Sequence, residues 1–105
     1  VKSNYSFIVG DKLVSCDTVD VDSCGMKGIL ITRLFVPLDL RGKGLAHQAL
    51  HDICGDADRE DVALYINPSP YVGFDRGGLQ KLYLKFGFVG KMNGFWERPP
   101  KNNCN

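Results

Sequence analysis

The stretch "GILITRLFVPLDLRGKGLAHQAL", residues 28–50, contains two hydrophobic periodicities joined by a basic glycine turn. Residues 28–36 are β-prone and nearly continuously apolar, a pattern typical of a central strand. Pro37 ends this strand, because proline cannot donate a backbone hydrogen bond to a neighbouring strand. From Gly44 to Ala57 the apolar residues recur at steps of one and three, which predicts an amphipathic helix. A buried strand followed by such a helix indicates a layered fold of helices on a sheet.

The turn between strand and helix combines Arg41, Gly42, Lys43 and Gly44. A helix start leaves backbone N–H groups without partners inside the helix, and the helix dipole adds positive potential there. Glycines let the backbone approach a ligand, so the turn is suited to bind phosphate, although a plain surface turn has the same composition. The P-loop spacing is absent, and the dinucleotide motif GxGxxG would need glycine where the chain has His47.

The rest of the chain consists of short periodic segments separated by turn residues. Strands are predicted in residues 5–9, 12–16, 17–22, 28–36 and 62–66, a second helix in 78–86, and a last strand or hairpin in 88–97. Gly87 is predicted to end the second helix in a left-handed conformation. The predicted order is β-β-β-β-α-β-α-β, an α/β or α+β fold in one domain over residues 1–105, with a flexible tail in 99–105.

The 105-residue chain has a formal net charge of +1. A charge near zero gives no general attraction for nucleic acid, and no run approaches the ~20 apolar residues that span a bilayer. The chain also starts without the apolar core of a secretory signal, so we expect a cytoplasmic protein that binds neither nucleic acid nor membrane. Cys16, Cys24, Cys54 and Cys104 lack metal-ligand spacing, and we expect reduced thiols and no metal site.

Two motifs, taken together, resemble a known family. Residues 41–46 (RGKGLA), led in by the strand and Pro37, resemble the Q/R-x-x-G-x-G/A signature of the GCN5-related N-acetyltransferase superfamily. Residues 79–89 (LQKLYLKFGFV) resemble the second signature of that family, a helix ending in L-Y-x-x-x-G-F. The resemblance covers residues 28–98. It implies a mixed central sheet with flanking helices, in which the two parallel strands 28–36 and 62–66 splay apart.

In this family, acetyl-CoA lies in the wedge between the splayed strands. The resemblance implies that the main chain of Leu34, Phe35 and Val36 would bind the pantetheine arm. It also implies that the pyrophosphate would bind to the backbone amides of six consecutive residues, namely Arg41, Gly42, Lys43, Gly44, Leu45 and Ala46. Tyr83 matches the tyrosine that protonates the departing CoA thiolate in many members, a role suited to a phenol that is protonated at neutral pH. Its alternative role is that of a core aromatic residue.

The general base for the incoming amine stays open at the level of sequence. Many relatives use a glutamate on the strand before the glycine turn, but residues 28–36 contain no acid. Asp39 is better suited to shape the turn, whereas Asp20 and Asp22 on a preceding strand could face the acceptor. A mechanism without a protein base is a further alternative.

Other polar residues near the motifs have two interpretations each. Asn67 could reach the pantetheine or belong to an ordinary Asn-Pro loop. His47 and His51 are spaced i,i+4, but without further ligands we interpret them as exposed helix residues.

The chain departs from the family where most members have a helix or two after the first strand. That region is reduced here, so the acceptor side would be open or completed by a second subunit of a homodimer. Residues 67–78 form a long segment without regular pattern, in which Tyr71, Phe74, Asp75 and Arg76 are expected to contact the acceptor.

The resemblance implies an enzyme that transfers the acetyl group of acetyl-CoA to a primary amine. A non-catalytic acyl-CoA-binding module on the same fold is the alternative, favoured by the missing acidic base. A nucleic-acid binder using Arg41, Lys43, Lys81 and Lys85 is the third interpretation, and it is disfavoured because these residues lie among acids.

Overall fold

A computed structural model shows an α+β arrangement of a six-stranded, mostly antiparallel sheet and two helices, and it describes residues 1–23, 25–40, 43–67, 76–90 and 94–100. The strands are β1 (Phe7–Val9), β2 (Lys12–Ser23), β3 (Met26–Phe35), β4 (Ala63–Ile66), β5 (Val89–Gly90) and β6 (Trp96–Arg98). The helices are α1 (Leu45–Glu60) and α2 (Arg76–Lys85), and a short 3-10 turn, Leu38–Leu40, precedes α1.

The strand order in the sheet is β1-β2-β3-β4-β6-β5. Strands β3 and β4 run parallel, with α1 as the crossover between them, whereas the other neighbouring strands are antiparallel. A parallel pair needs such a crossover because both strands must start at the same edge of the sheet. The carboxyl ends of β3 and β4 therefore lie at one edge, where α1 begins.

Both helices pack against the same face of the sheet. Leu64 of β4 is in register with Arg98 of β6, and the Arg98 guanidinium donates hydrogen bonds to Asp58 of α1 and to the carbonyl of Phe86 just after α2. The core on this face is built by apolar side chains of both helices and of the central strands, among them Leu34, Leu50, Ile53, Leu64, Ile66, Tyr83 and Phe88. A smaller cluster of Val14, Val36 and Leu40 lies beside it, packed against Leu45 and Ala46 at the start of α1.

The prediction of four strands before the first helix was wrong, because residues 12–16 and 17–22 form the single strand β2. The first residues of β2 pair with β1 and the following residues pair with β3, in one continuous strand. The predicted strands 28–36 and 62–66 and both predicted helices are confirmed, with ends that differ by at most three residues. The last predicted element is a hairpin of β5 and β6. A two-residue turn joins β1 to β2, which agrees with the expected reduction of the N-terminal region.

Candidate functional site

A cleft opens between β3 and β4 at their carboxyl ends. The last parallel pair is Ile31↔Ile66, where β4 ends, whereas β3 continues to Phe35. Side chains from both strands and from α2 line the cleft, namely Ile31, Thr32, Arg33, Leu34, Ile66, Asn67 and Tyr83. Its volume is about 20 Å³, enough for a water molecule and smaller than a thioester.

Two local features explain why the strands are close at one end and apart at the other. Asp17 is in register with Arg33 and Thr18 with Ile31, so Thr32 is an extra residue on β3, a β-bulge. A bulge bends its strand and increases the local twist, and this one directly follows Ile31, the last residue of β3 that pairs with β4. At the opposite end, a Cβ on Gly28 would lie 2.3 Å from the Ala63 carbonyl oxygen, so only glycine permits this close approach of β3 and β4.

Tyr83 reaches the cleft from α2, and the way that helix ends fixes its ring. The Phe88 amide donates to the Tyr83 carbonyl and the Gly87 amide to the Leu84 carbonyl, while Gly87 has a φ of 99°. These are the bonds of a Schellman motif, which confirms the predicted role of Gly87. The hydrophobic contact of that motif joins the rings of Phe88 and Tyr83, whose centroids are 5.7 Å apart. The LYLKFGF sequence thus ends a helix and orients a tyrosine.

The Tyr83 side chain is 1% exposed, and burial, with a further contribution from nearby Cys16, raises the pKa of its phenol. Its hydroxyl forms no hydrogen bond with the residues that the structure describes. No fully buried side-chain oxygen in the same residues lacks a partner, so the small accessible area of Tyr83 includes its hydroxyl. A buried phenol usually has a hydrogen-bond partner. The Tyr83 hydroxyl is therefore a protonated donor available to a molecule in the cleft.

The start of α1 lies beside the same edge of the sheet. Gly44, with a φ of 77°, caps the helix without a side chain, and the first turn contains no acidic residue. Leu45 and Ala46 pack against the cluster that contains Val36, the residue just beyond the end of β3. The first amides of α1 therefore keep their capacity to donate to an anion near the cleft.

The structure brings most of the predicted cofactor-binding residues to this edge. Leu34, Asn67 and Tyr83 line the cleft, and Phe35 and Val36 follow directly on β3 and after it. Lys43 and Gly44 are exposed before α1. Arg41 and Gly42 lie outside the described residues, as do Tyr71, Phe74 and Asp75 of the expected acceptor segment, whose Arg76 is the first residue of α2.

The acids considered as bases lie away from the cleft. Asp20 and Asp22 line a separate pocket beside Gly28, at the opposite end of β3. The Asp39 carboxylate lies 3.9 Å from the Lys12 ammonium. The acid that is in register with a cleft-lining residue is Asp17, which sequence reasoning missed. The sequence feature that could have revealed this position is a break in the alternation of apolar residues on β3. Buried Ile29 and Ile31 are two residues apart, but the next buried residue is Leu34 rather than residue 33.

The histidines and cysteines follow their expected positions. His47 and His51 are exposed on α1, and the His47 ring packs on Phe86 with centroids 4.9 Å apart. Cys16 and Cys54 are buried and form no disulfide, whereas Cys24 and Cys104 lie outside the described residues. Within those residues, no three His, Cys, Asp or Glu side chains gather as metal ligands.

The chain matches no model of a protein family and no curated protein. Neither described helix is long and apolar enough to cross a bilayer.

Proposed function

We propose that the chain is a small member of the GCN5-related N-acetyltransferase superfamily that transfers the acetyl group of acetyl-CoA to a primary amine. The observation that carries this proposal is the cleft between parallel β3 and β4, with the hydroxyl of Tyr83 at its wall. The two sequence motifs lie on either side of this cleft, the glycine turn before α1 and the LYLKFGF segment at the end of α2.

The edge of β3 beyond Ile31 supports a binding role for the main chain. Beyond that residue β4 offers no further partner, so an amide-containing arm could hydrogen-bond to Leu34 and Phe35 in the manner of an added strand. The amides of Lys43, Gly44, Leu45 and Ala46, with Arg41 and Gly42 before them, would bind the pyrophosphate. Asn67 would contact the arm from the β4 side.

In the proposed reaction, acetyl-CoA supplies an acetyl thioester. The amine nitrogen forms a bond to the carbonyl carbon, the carbon–sulfur bond breaks, and the sulfur leaves as a thiolate. Tyr83 donates its phenolic proton to that sulfur, a step suited to a buried tyrosine whose raised pKa keeps it protonated. The amine loses its own proton to water or to a base outside the cleft lining.

A non-catalytic acyl-CoA-binding module on the same fold is the second candidate. Two observations favour it. No carboxylate is among the described residues that line the cleft, and its volume of about 20 Å³ must increase before a thioester can enter. Turnover separates the two candidates, since both require CoA binding.

The test combines thermal stabilisation by CoA or acetyl-CoA with an amine-dependent assay of CoA release. We expect both ligands to raise the melting temperature of the wild type. Tyr83→Phe should keep that stabilisation and lower the rate of CoA release about 100-fold, because it removes only the proton donor. Tyr5→Phe is the matched control, since the Tyr5 hydroxyl donates to Asp56 at 2.5 Å and lies outside the cleft lining.

Absence of stabilisation by either ligand would contradict the proposal as a whole. Stabilisation without CoA release on a broad amine panel would support the binding module. A Tyr83→Phe rate equal to that of Tyr5→Phe would exclude Tyr83 as the proton donor.

A further inference from the structure

We infer that Asp17 binds the alkylammonium group of the acceptor at the mouth of the cleft. The observation behind this is a carboxylate beside the cleft that has no cation as its partner among the described residues. The inference deepens the proposed function, on which its link to acetyl transfer rests, although amine binding can be measured without turnover.

Asp17 lies one strand away from the cleft lining. Its Cα is in register with that of Arg33, and its carbonyl oxygen accepts a hydrogen bond of 3.2 Å from the Thr32 hydroxyl. Both Thr32 and Arg33 line the cleft. Neighbouring strands are about 4.8 Å apart, so the Asp17 carboxylate is within reach of a small molecule that enters the cleft beside Thr32.

The Asp17 side chain projects on the face opposite the helices. Cys16 and Leu34 form the preceding register pair and are both buried in the core under the helices, so the next pair, Asp17 and Arg33, points the other way. An acceptor would therefore approach from the face opposite Tyr83 and α1. The proton donor and the amine site then lie on opposite sides of the same opening.

The carboxylate is held in place but not neutralised. Its Oδ1 accepts a hydrogen bond of 2.5 Å from the Asn4 amide, which fixes the side chain. In the described part of the chain, no Lys, Arg or His nitrogen lies within ion-pair distance of it. Arg33, its register partner, instead places its guanidinium 5.8 Å from the centroid of the Phe35 ring. A fixed, half-buried carboxylate with a remaining oxygen is suited to accept charge-assisted hydrogen bonds from an ammonium group.

The same strand offers a matched control. Asp20 is also on β2, is exposed to solvent, and is in register with Ile29 near the end of β3 that pairs closely with β4. Asp20→Asn removes the same charge from the same strand without changing the mouth of the cleft. Asp17→Glu retains the charge at the cleft and tests whether charge alone restores binding.

The experiment is calorimetric titration of the full chain with spermidine and, separately, with Nα-acetyl-lysine methylamide, each with and without CoA. We expect the wild type to bind at least one of these amines, and Asp17→Asn to weaken that binding about tenfold or more. Asp20→Asn should bind as the wild type does, and Asp17→Glu should recover part of the affinity. Preference for spermidine or for the lysine derivative distinguishes a polyamine from a protein side chain as the source of the ammonium group.

Binding of neither amine, or equal binding by Asp17→Asn and wild type, would overturn this inference. If either outcome occurs while CoA still raises the melting temperature, the proposed function stands and the amine site is wrong. If amine binding depends on Asp17 but CoA has no effect, the amine site stands and the proposed function fails. Melting temperatures of the variants without ligand show whether each is folded.

Discussion

At the scale of single residues, the core beside the cleft holds two buried groups, the Tyr83 phenol and the Cys16 thiol, whose protons are difficult to remove. Tyr83 and Cys16 are 1% and 0% exposed, and each contributes to the other's surroundings in the core. Burial raises the pKa of the Cys16 thiol to about 12, from an ordinary value of 9.0. Such a thiol is a poor nucleophile at neutral pH, so Cys16 is a packing residue, and Tyr83 remains the proposed proton donor.

This raised pKa predicts a loss of stability at alkaline pH. The folded chain retains the Cys16 proton, whereas the unfolded chain loses it near pH 9. The contribution of Cys16 to the free energy of unfolding is therefore constant well below pH 9 and falls as the pH rises from 9 toward 12. From pH 8 to pH 10.5, Cys16 should account for about 2 kcal/mol of that fall. Urea unfolding of wild type and Cys16→Ala at both pH values measures it.

The informative quantity is the change in the free energy of unfolding between pH 8 and pH 10.5, taken within each protein. Cys16→Ala leaves a cavity and lowers stability at every pH, but its fall between pH 8 and 10.5 should be smaller than that of the wild type. Tyr83 contributes in the same direction in both proteins, since its pKa is also raised. An equal fall in both proteins would contradict the assignment to Cys16.

At the scale of elements, β3 determines the shape of the candidate site. Gly28 lets its backbone approach β4 closely, and the bulge at Thr32 bends the strand four residues later. Both features are needed for a parallel pair that is closed at one end and open at the other. Among the described residues, β3 therefore contributes both features that shape this strand pair.

Gly28→Ala should destabilise the protein by about 2 kcal/mol or more, because the new Cβ would meet the Ala63 carbonyl at a φ of 155°. Gly55→Ala is the contrasting substitution in the interior of α1, where the nearest atom to the new Cβ is the Arg59 Nη1 at 3.7 Å. Gly55→Ala should raise the free energy of unfolding by roughly 0.5–1 kcal/mol, because alanine has a higher helix propensity than glycine. Chemical unfolding of both variants checks the two signs, and a neutral Gly28→Ala would mean that β3 and β4 can move apart without cost.

At the scale of the whole molecule, Arg98 connects three elements. Its guanidinium is bidentate to Asp58 of α1, at 2.8 and 3.0 Å, and its Nε donates to the Phe86 carbonyl at 2.7 Å, beyond the end of α2. The residue is 3% exposed, and the hydrogen bond to Asp58 raises the pKa of its guanidinium. Because α2 carries Tyr83, this buried pair also fixes the cleft wall relative to α1 and β6.

Asp58→Asn should lower the free energy of unfolding by about 3–5 kcal/mol, since it leaves the buried Arg98 guanidinium without its counter-charge. Asp39→Asn is the matched control, because the Asp39 and Lys12 side chains are 64% and 48% exposed and 3.9 Å apart. Loss of that surface pair should change the free energy of unfolding by less than about 1 kcal/mol. Denaturant melts of the two variants compare them directly, and equal effects would show that the Arg98 pair has no special stabilising role.

The local elements could be predicted from the sequence because their signals are local. The apolar run 28–36, the helical spacing after Gly44 and the glycine after Phe86 each depend on residues a few positions apart. The same motifs gave the expected site residues, of which Leu34, Asn67 and Tyr83 line one cleft. The hypothesis of acetyl transfer came from those motifs and stays a prediction.

Only the tertiary structure decided which groups meet. Four features depend on the register between segments that are distant in sequence. They are the single strand β2, the extra residue at Thr32, the Arg98–Asp58 pair and the position of Asp17. A shift of one residue moves a side chain to the other face of a sheet, so sequence patterns cannot say which aspartate of β2 lies beside the cleft. The sequence by itself determined the two helices and the strands of the parallel pair, through short-range periodicity and capping, and the resemblance of its motifs to a family supplied the candidate proton donor. The pairing of strands decided the shape of the cleft and the acid at its mouth, because register is set by contacts across the whole core.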